Sequence, residues 1–165
     1  MCSSDLRYLI LMMALSTFLL IGILNLYIHY QTFNSKKMVV YAGQKYTHVS
    51  FINGYRNSVF TEDQAKIERI TTSYWQNNKL HSPTYLTENE WFSEGFVYFA
   101  GKRIAILSDN FLKGKYCSQS LELDYLIIGR HAKPKMQQIL NCLKPRNVII
   151  DKGVSKWYTE HIKES

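Results

Sequence analysis

An uncharged run of 21 residues, YLILMMALSTFLLIGILNLYI from Tyr8 to Ile28, constrains this chain more than any other feature. As a helix, the run would be about 31 Å long, which matches the hydrocarbon core of a membrane. Tyrosines at its two ends suit the membrane interface. A cleaved signal peptide is the alternative, but its apolar part is usually about 7 to 15 residues long, and no small-x-small cleavage site follows here. We therefore predict a retained transmembrane helix.

The rest of the chain is long enough for one domain. We predict a transmembrane helix with its flanks over residues 1–30, a short polar linker over 31–37, a folded domain over 38–160 and a tail over 161–165. Arg7 lies on one side of the apolar run, and Lys36 and Lys37 lie on the other. The positive-inside rule therefore does not choose the orientation of the helix.

The first half of the soluble part contains two strong local signals. MVVYA, residues 38–42, is a predicted strand, and THVSFI and YRNSVF flank Asn53-Gly54, which favours a two-residue hairpin turn. TEDQAKIERITTSYWQNNK is a predicted helix, with Thr61 as its cap and Gln64 as the capping-box partner. Helical spacing predicts a buried stripe on this helix formed by Ile67, Ile70 and Tyr74.

The second half repeats strand and helix signals. GFVYFAGKRIAIL is a predicted hairpin that turns at Gly101-Lys102, and LDYLIIG is a predicted strand covered on both faces. Pro134 opens the next helix, which Lys144-Pro145-Arg146 end, and NVIID is the last strand. The apolar stripe of that helix is predicted to contain Met136, Ile139, Leu140 and Leu143. Hairpins followed by strand–helix–strand predict an α+β fold, in which helices pack on a mixed sheet.

Charge and cysteine content limit the partners and the compartment. The net charge of +7 favours anionic partners, either nucleic acid or phospholipid head groups, although it also serves solubility. The three cysteines, Cys2, Cys117 and Cys142, contain no CxxC pair. Cys142 falls on the apolar side of a predicted helix, where we expect a small buried hydrophobic side chain. Nothing in the pattern requires an oxidising compartment.

The order of VVYAGQ, INGYRNSVFTED, FVYFAGKRIAILSDN and LDYLIIGRHAKPKMQQILNCLKPRNVIID resembles the carboxy-terminal region of the ComEC family. These proteins are the membrane channels of DNA uptake in naturally competent bacteria. The region is similar to a metallo-β-lactamase fold and in many members follows a last transmembrane helix. The resemblance spans Leu9 to Trp157. It implies an αββα-like domain, degenerate in its active site, at the bacterial inner (cell) membrane and on the outer, non-cytoplasmic face.

The resemblance implies metal positions that this chain keeps only in part. The family's bridging aspartate corresponds to Asp109, and the second histidine of its His-His-Gly corresponds to His131. Arg130 and Ala132 replace the first histidine and the glycine. The family's H-x-H-x-D-H loop corresponds to TEDQAKIERITTSYW, which contains no histidine.

A hydrolytic zinc site needs at least three protein ligands. Asp109 and His131 are therefore expected to be vestigial, and we predict no catalytic residue, no bound metal and no other cofactor. The alternative is a loosely held divalent cation such as magnesium, with Glu62 and Asp63 adding carboxylates. Asp124 is expected to be solvated or to pair with a neighbouring lysine.

Three functions remain open from the sequence. The first is a membrane-tethered, non-catalytic domain of a DNA-uptake protein that contacts the phosphates of single- or double-stranded DNA. The alternatives are a metal-dependent nuclease with an atypical site and a plain membrane-anchored interaction domain. We expect the DNA-contacting basic face to contain Arg130, Lys133, Lys135, Lys144, Arg146, Lys152 and Lys156.

Two further expectations concern the partners of the domain. Trp157 and Tyr158 are expected to pack against the last strand rather than to stack on bases. One transmembrane helix cannot conduct DNA. We therefore expect the chain to be part of a longer channel protein or to work beside the polytopic channel helices of a separate chain.

Overall fold

A computed structural model describes residues 3–42, 46–86, 92–108, 117, 119–132, 134, 136–155 and 158–160. The described part of the chain begins with helix α1, Ser3–Asn34, whose side chains are exposed along most of its length. The stretch Arg7–Asn34 is long and apolar enough to cross a membrane. Strand β1 begins at Lys36. Residues 31–37, expected to be a polar linker, are instead the last turn of α1, Ser35 and the start of β1.

The first sheet contains four strands in the order β1-β2-β3-β4. The first three strands are antiparallel, and β4 is parallel to β3. The hairpin between β2 and β3 is confirmed, but its turn lies one residue later than predicted, because Asn53 pairs with Arg56. Gly54 therefore occupies the first turn position with φ 62°, a conformation that glycine adopts freely. The strands are β1 (Lys36–Tyr41), β2 (His48–Asn53), β3 (Arg56–Thr61) and β4 (Thr84–Tyr85).

Helix α2, Gln64–Asn77, connects β3 to β4 and is capped differently from the prediction. Its N-cap is Asp63, whose Oδ1 accepts a hydrogen bond from the Lys66 backbone N–H at 3.2 Å. Thr61 is the last residue of β3, and its hydroxyl bonds to the backbone of Asp63. Asp63 caps α2 in place of Thr61 because Asp63 is the residue directly before the first helical turn.

The buried face of α2 is rotated relative to the predicted stripe. Ile67 is buried as predicted, and Tyr74 is partly buried, but Ile70 is 51% exposed. The remaining buried positions are Thr71 and Trp75, one and two turns after Ile67. The Thr71 hydroxyl donates to the Ile67 carbonyl oxygen at 2.6 Å, so it can be buried without an unpaired polar group.

The second sheet contains five strands in the order β5-β6-β7-β8-β9. Strands β5, β6 and β7 are antiparallel, whereas β7, β8 and β9 are parallel. The predicted hairpin is confirmed, but its turn lies one residue earlier than predicted, because Phe99 pairs with Lys102. Ala100 and Gly101 form the turn, both at positive φ. The strands are β5 (Phe92–Ser93), β6 (Phe96–Phe99), β7 (Lys102–Leu107), β8 (Leu121–Ile128) and β9 (Leu143–Ile150).

Helix α3, Met136–Cys142, connects β8 to β9 and is shorter than predicted. Leu143 belongs to β9, and Pro145 pairs with Leu123 inside the sheet, so Lys144-Pro145-Arg146 lie within the strand. Ile139 is buried as predicted, but Leu140 is 55% exposed. Leu143 is buried as predicted, but as the first residue of β9, and Cys142 at the end of α3 is buried where Leu140 was expected. The side chain of Met136, the remaining predicted position, lies outside the described ones.

The two sheets pack face to face between the two shorter helices. Phe51 of β2 shares a buried cluster with Ile104 of β7 and Ile127 of β8. On the outer faces, α2 packs on the first sheet through Ile67, and α3 packs on the second sheet through Ile139. The layer order is therefore α2, first sheet, second sheet, α3. This confirms the predicted α+β fold, with two mixed sheets where the sequence suggested one.

Cys142 is buried as predicted, but it is bonded to Cys117, with 5.1 Å between the two Cα atoms. The expectation of an unpaired hydrophobic side chain is therefore wrong. The pairing depends on the end of α3 lying close to the segment that leads into β8. Sequence spacing alone does not reveal that proximity, because the two cysteines are 25 positions apart.

Candidate functional site

An open groove of about 840 Å³ lies where three connections meet at one end of the sheets. The connection from β1 to β2, the first turns of α2 and the loop after β8 form its walls. Five of its eight described lining residues are lysine, arginine or histidine, so the groove is basic. The lining residues are Ala42, Tyr46, His48, Lys66, Arg69, Ile70, Arg130 and His131.

A close approach of the two sheets shapes one end of the groove. Within the second sheet, the Gly129 N–H, directly after β8, donates to the carbonyl oxygen of Leu107 on β7 at 2.8 Å. A Cβ atom on Gly129 would lie 2.2 Å from Oγ1 of Thr47, a buried residue before β2. Only glycine therefore leaves room for Thr47 here, and Arg130 and His131 in the turn after it line the groove.

His48 forms a buried, neutral part of the wall. Its Nδ1 lies 2.8 Å from Oγ1 of Thr61, the residue opposite it on β3. Burial lowers the pKa of His48, and this effect outweighs the opposing negative charges of Asp151 and Asp63, while Lys66 lowers the pKa further. His48 is therefore uncharged at neutral pH. The positive charge of the groove comes from its lysine and arginines.

Tyr46 stands among cationic and aromatic neighbours. The Nζ of Lys66 lies 5.0 Å from the centroid of the Tyr46 ring, a distance at which a cation is attracted to the ring face. The His131 ring centroid is 6.2 Å from that of Tyr46. His131 is exposed. The groove thus offers an aromatic face beside positive charge.

Of the two residues that correspond to metal ligands of the family, the structure describes one. His131 lies in the groove, whereas Asp109 lies outside the residues that the structure describes. The carboxylate of Asp63 caps α2. Within the described ranges, no three histidine, cysteine, aspartate or glutamate side chains are close enough together to hold a metal ion.

The predicted basic face is distributed over two ends of the second sheet. Arg130 lines the groove, and Lys152 follows β9 at the same end, because the Asp151 N–H donates to the Ile128 carbonyl oxygen. Lys144 and Arg146 are exposed near the start of β9, at the opposite end. Lys133, Lys135 and Lys156 lie outside the described residues.

Lys66 and Arg69 line the groove but were not predicted from the sequence. They lie three residues apart, so they occupy the same exposed side of α2. That spacing was the available signal. It did not indicate, however, that this side of the helix faces the loop after β8.

Two other residues for which the sequence suggested a role have structural contacts. Asp124 pairs with a lysine as expected, its Oδ1 lying 3.2 Å from Nζ of Lys102. The Arg103 backbone N–H, which donates to Oδ2, is the main cause of the lowered pKa of Asp124. Tyr158 is buried as predicted, and its hydroxyl donates to the Pro134 carbonyl oxygen. Trp157 lies outside the described residues.

Comparison with known proteins identifies the domain. The family model of the ComEC C-terminal domain matches residues 38–165, a range that contains α2, α3, the basic groove, the second sheet and all of the first sheet except the first two residues of β1. No curated protein and no solved structure matches the chain significantly. The match covers well over half of the sequence and agrees with the motifs noted above, so the chain belongs to the family of the ComEC C-terminal domain, a domain of membrane proteins for DNA uptake.

Proposed function

We propose that this chain is a membrane-tethered, non-catalytic domain of a DNA-uptake protein, and that its basic groove binds the phosphates of DNA. The observation that carries the proposal is the convergence of Lys66, Arg69 and Arg130 on one groove. Membership of the ComEC C-terminal domain family supports the DNA-uptake context. Helix α1 supplies the tether.

The groove residues suit a phosphate backbone. Arginine can offer two parallel N–H donors to a phosphate, and lysine adds a compact positive charge. The three cations come from two separate elements, α2 and the loop after β8, so a strand lying in the groove meets positive charge on both sides. Tyr46 adds a ring on which a base can stack. Such contacts bind single- or double-stranded DNA without reading its sequence.

The residue chemistry supports binding without hydrolysis. The stretch that corresponds to the family's histidine-rich loop, residues 61–75, contains no histidine. His48 is buried and bonded to Thr61, and Asp63 caps a helix, so these two side chains already have structural partners. A hydrolytic metal needs at least three protein ligands and an open position for water.

The disulfide supports an outer location for the domain. Cys117–Cys142 joins two elements of the fold, and disulfides persist mainly in oxidising compartments outside the cytoplasm. This agrees with the side that the family resemblance implies. We propose that the domain stands on the outer face of the bacterial cell membrane. There it works with polytopic channel helices of the same chain or of a separate chain.

The test is DNA binding by the full chain in nanodiscs of zwitterionic lipid. Fluorescence anisotropy with labelled single- and double-stranded oligonucleotides should show an affinity that falls steeply between about 50 and 200 mM salt. Each of Lys66→Gln, Arg69→Gln and Arg130→Gln should weaken binding and reduce the salt slope by about one. Arg103→Gln is the matched control, because Arg103 is an exposed arginine at the start of β7, away from the groove.

Two results would overturn the proposal. A wild-type chain that does not bind DNA at low salt would favour a plain membrane-anchored interaction domain. A loss of affinity in Arg103→Gln equal to that of the groove variants would show that net charge, rather than the groove, attracts the DNA.

A further inference from the structure

We propose that the tip of the β2–β3 hairpin and the residues beside it form a surface that binds the phosphate head groups of anionic lipids. This head-group surface contains four exposed cationic side chains. They are Lys36, Lys37, Arg56 and Lys79. The inference rests on α1 crossing the membrane, and it does not depend on DNA binding by the groove.

The hairpin tip is fixed to the end of α1 by three contacts. The Gly54 N–H donates to the Ser35 carbonyl oxygen at 2.8 Å. The Tyr55 hydroxyl lies 2.8 Å from Nδ1 of His29, and the two rings have centroids 5.3 Å apart. Gly54 also lies against the Phe33 backbone, since a Cβ there would be 2.7 Å from the Phe33 carbonyl oxygen. The tip therefore stays beside the last two turns of the helix.

The length of α1 sets the height of this tip above the bilayer. The apolar run Tyr8–Ile28 fills the hydrocarbon core at 1.5 Å per residue. The remaining helical residues, 29–34, rise by about 9 Å. The head-group layer of one leaflet is roughly 5 to 7 Å thick. Residues that touch His29 and Phe33 therefore lie at the level of the head groups.

The four cations lie close to this tip. Lys37 pairs with Ile52, the residue before Asn53. Lys36 and Arg56 both neighbour Asn53, Lys36 across the β1–β2 ladder and Arg56 across the hairpin. Lys79 follows α2, and two residues later the His81 N–H donates to the Tyr55 carbonyl oxygen at 2.8 Å.

The charges on this surface are not neutralised by the described part of the protein. Among the described residues, the one ion pair joins Lys102 and Asp124 on the second sheet. All four cations of the head-group surface are exposed. Positive side chains held at this depth attract anionic lipid phosphates. The exposed rings of Tyr30 and Phe33 suit the same interfacial level.

The head-group surface and the groove lie at opposite ends of β2. His48, the first residue of the strand, lines the groove, and Asn53, the last, borders the head-group surface. Five residue steps at about 3.4 Å separate them by about 17 Å. Binding of lipid at the tip would hold the domain so that the groove faces away from the bilayer.

Native mass spectrometry of the full chain, released from nanodiscs with equal phosphatidylglycerol and phosphatidylcholine, tests the inference. The wild type should retain phosphatidylglycerol at least about fivefold over phosphatidylcholine, the preference expected from a single lysine or arginine near a charged surface. The combined variant Lys36→Gln, Lys37→Gln, Arg56→Gln and Lys79→Gln should retain the two lipids equally.

Two further variants test whether the lipid preference depends on the position and charge of these side chains and not on a change in folding. One combined variant also removes four positive charges, but away from the head-group surface, and should keep the lipid preference. It contains Lys66→Gln, Arg69→Gln, Arg103→Gln and Arg130→Gln. A second combined variant exchanges lysine and arginine at the head-group surface, keeps the four charges and should also keep the lipid preference. It contains Lys36→Arg, Lys37→Arg, Arg56→Lys and Lys79→Arg. All variants should melt at the temperature of the wild type.

The inference is overturned if the wild type retains both lipids equally. It is also overturned if the variant that lacks four positive charges elsewhere in the domain loses the preference too. It is also overturned if the glutamine variant at the tip keeps its lipid preference. A loss of DNA affinity by that variant in zwitterionic discs would then show that the surface contacts nucleic acid instead. Absence of DNA binding by the wild type would contradict the proposed function and leave this lipid test unaffected.

Discussion

Cys117 and Cys142 are joined by a disulfide that ties the end of α3 to the segment before β8. Cys142 is buried in the cluster between α3 and the second sheet, whereas Cys117 is exposed. The bond closes a loop of 25 residues that contains β8, the central strand of the three parallel ones. A crosslink of that span limits the freedom of the unfolded chain.

Removing this disulfide should lower the stability of the soluble domain. Cys117→Ser is the suitable variant, because a serine at an exposed position leaves no buried hydroxyl. Its free energy of unfolding should fall by about 3 to 4 kcal/mol, as the length of the loop predicts. Urea denaturation followed by tryptophan fluorescence measures the change, with Cys2→Ser as the control outside the bond. An unchanged unfolding midpoint of the wild type after addition of reductant would contradict this prediction.

The stability of the domain should decrease as the pH falls below about 6.5 because of His48. Burial lowers the pKa of His48 in the folded state, so the unfolded chain binds the proton more readily than the folded one. The full stability is present above the unfolded pKa and is lost as the pH falls toward the folded pKa. Asp151, Asp63 and Lys66 also act on this histidine, and burial is the largest effect.

Denaturant unfolding of the wild type and of His48→Gln, measured between about pH 5 and pH 8, tests this expectation. The difference in unfolding free energy between the two proteins should narrow toward acid pH. His131→Gln is the control, since it removes an exposed imidazole from the same groove instead of a buried one. A difference between wild type and His48→Gln that stays constant with pH would refute the role of His48.

Those parts of the fold that depend on neighbouring residues were predictable. Asn53-Gly54 indicated a hairpin, and the apolar run in β8 indicated a strand with both faces covered. The buried side of α2 was predicted less well, because a helical period fits more than one face. Thr71 is buried instead of Ile70, since its hydroxyl bonds within the helix and the contact with the first sheet selects that side.

The candidate site was predictable only at the end of β8. The strand and the turn after it placed Arg130 and His131 at a strand end, and both line the groove. Lys66 and Arg69 reach the same groove because one sheet packs on the other, a relationship that local spacing does not encode. The disulfide depends on distant contacts for the same reason.

The purified chain should show no metal-dependent cleavage of DNA. Because the sequence lacks the histidine-rich loop of the family, we expect too few ligands for a hydrolytic zinc. We expect neither the wild type nor Asp109→Ala nor His131→Ala to cleave single- or double-stranded oligonucleotides with added manganese or magnesium. Metal analysis of the wild type should find less than one equivalent. Cleavage by the wild type that is lost in both variants would restore the nuclease hypothesis.

Gly54→Ala should separate the hairpin from α1, and Gly101→Ala should serve as its control. Both glycines have positive φ, 62° and 76°, so alanine at either site costs about 1 to 2 kcal/mol of backbone strain. At Gly101 no described atom lies within 4 Å of the new Cβ. At Gly54 the new Cβ would lie 2.7 Å from the Phe33 carbonyl oxygen, so the hairpin must move away from the helix.

The displacement should also break the Gly54–Ser35 hydrogen bond and expose the start of β1. We therefore expect Gly54→Ala to lose more unfolding free energy than Gly101→Ala and to be cut faster by trypsin after Lys36 and Lys37. Denaturant unfolding and timed proteolysis in nanodiscs measure the two effects. Equal cleavage rates in the two variants would mean that the contact with α1 does not hold the hairpin, because both glycines carry the same backbone strain and differ in what their Cβ atoms meet.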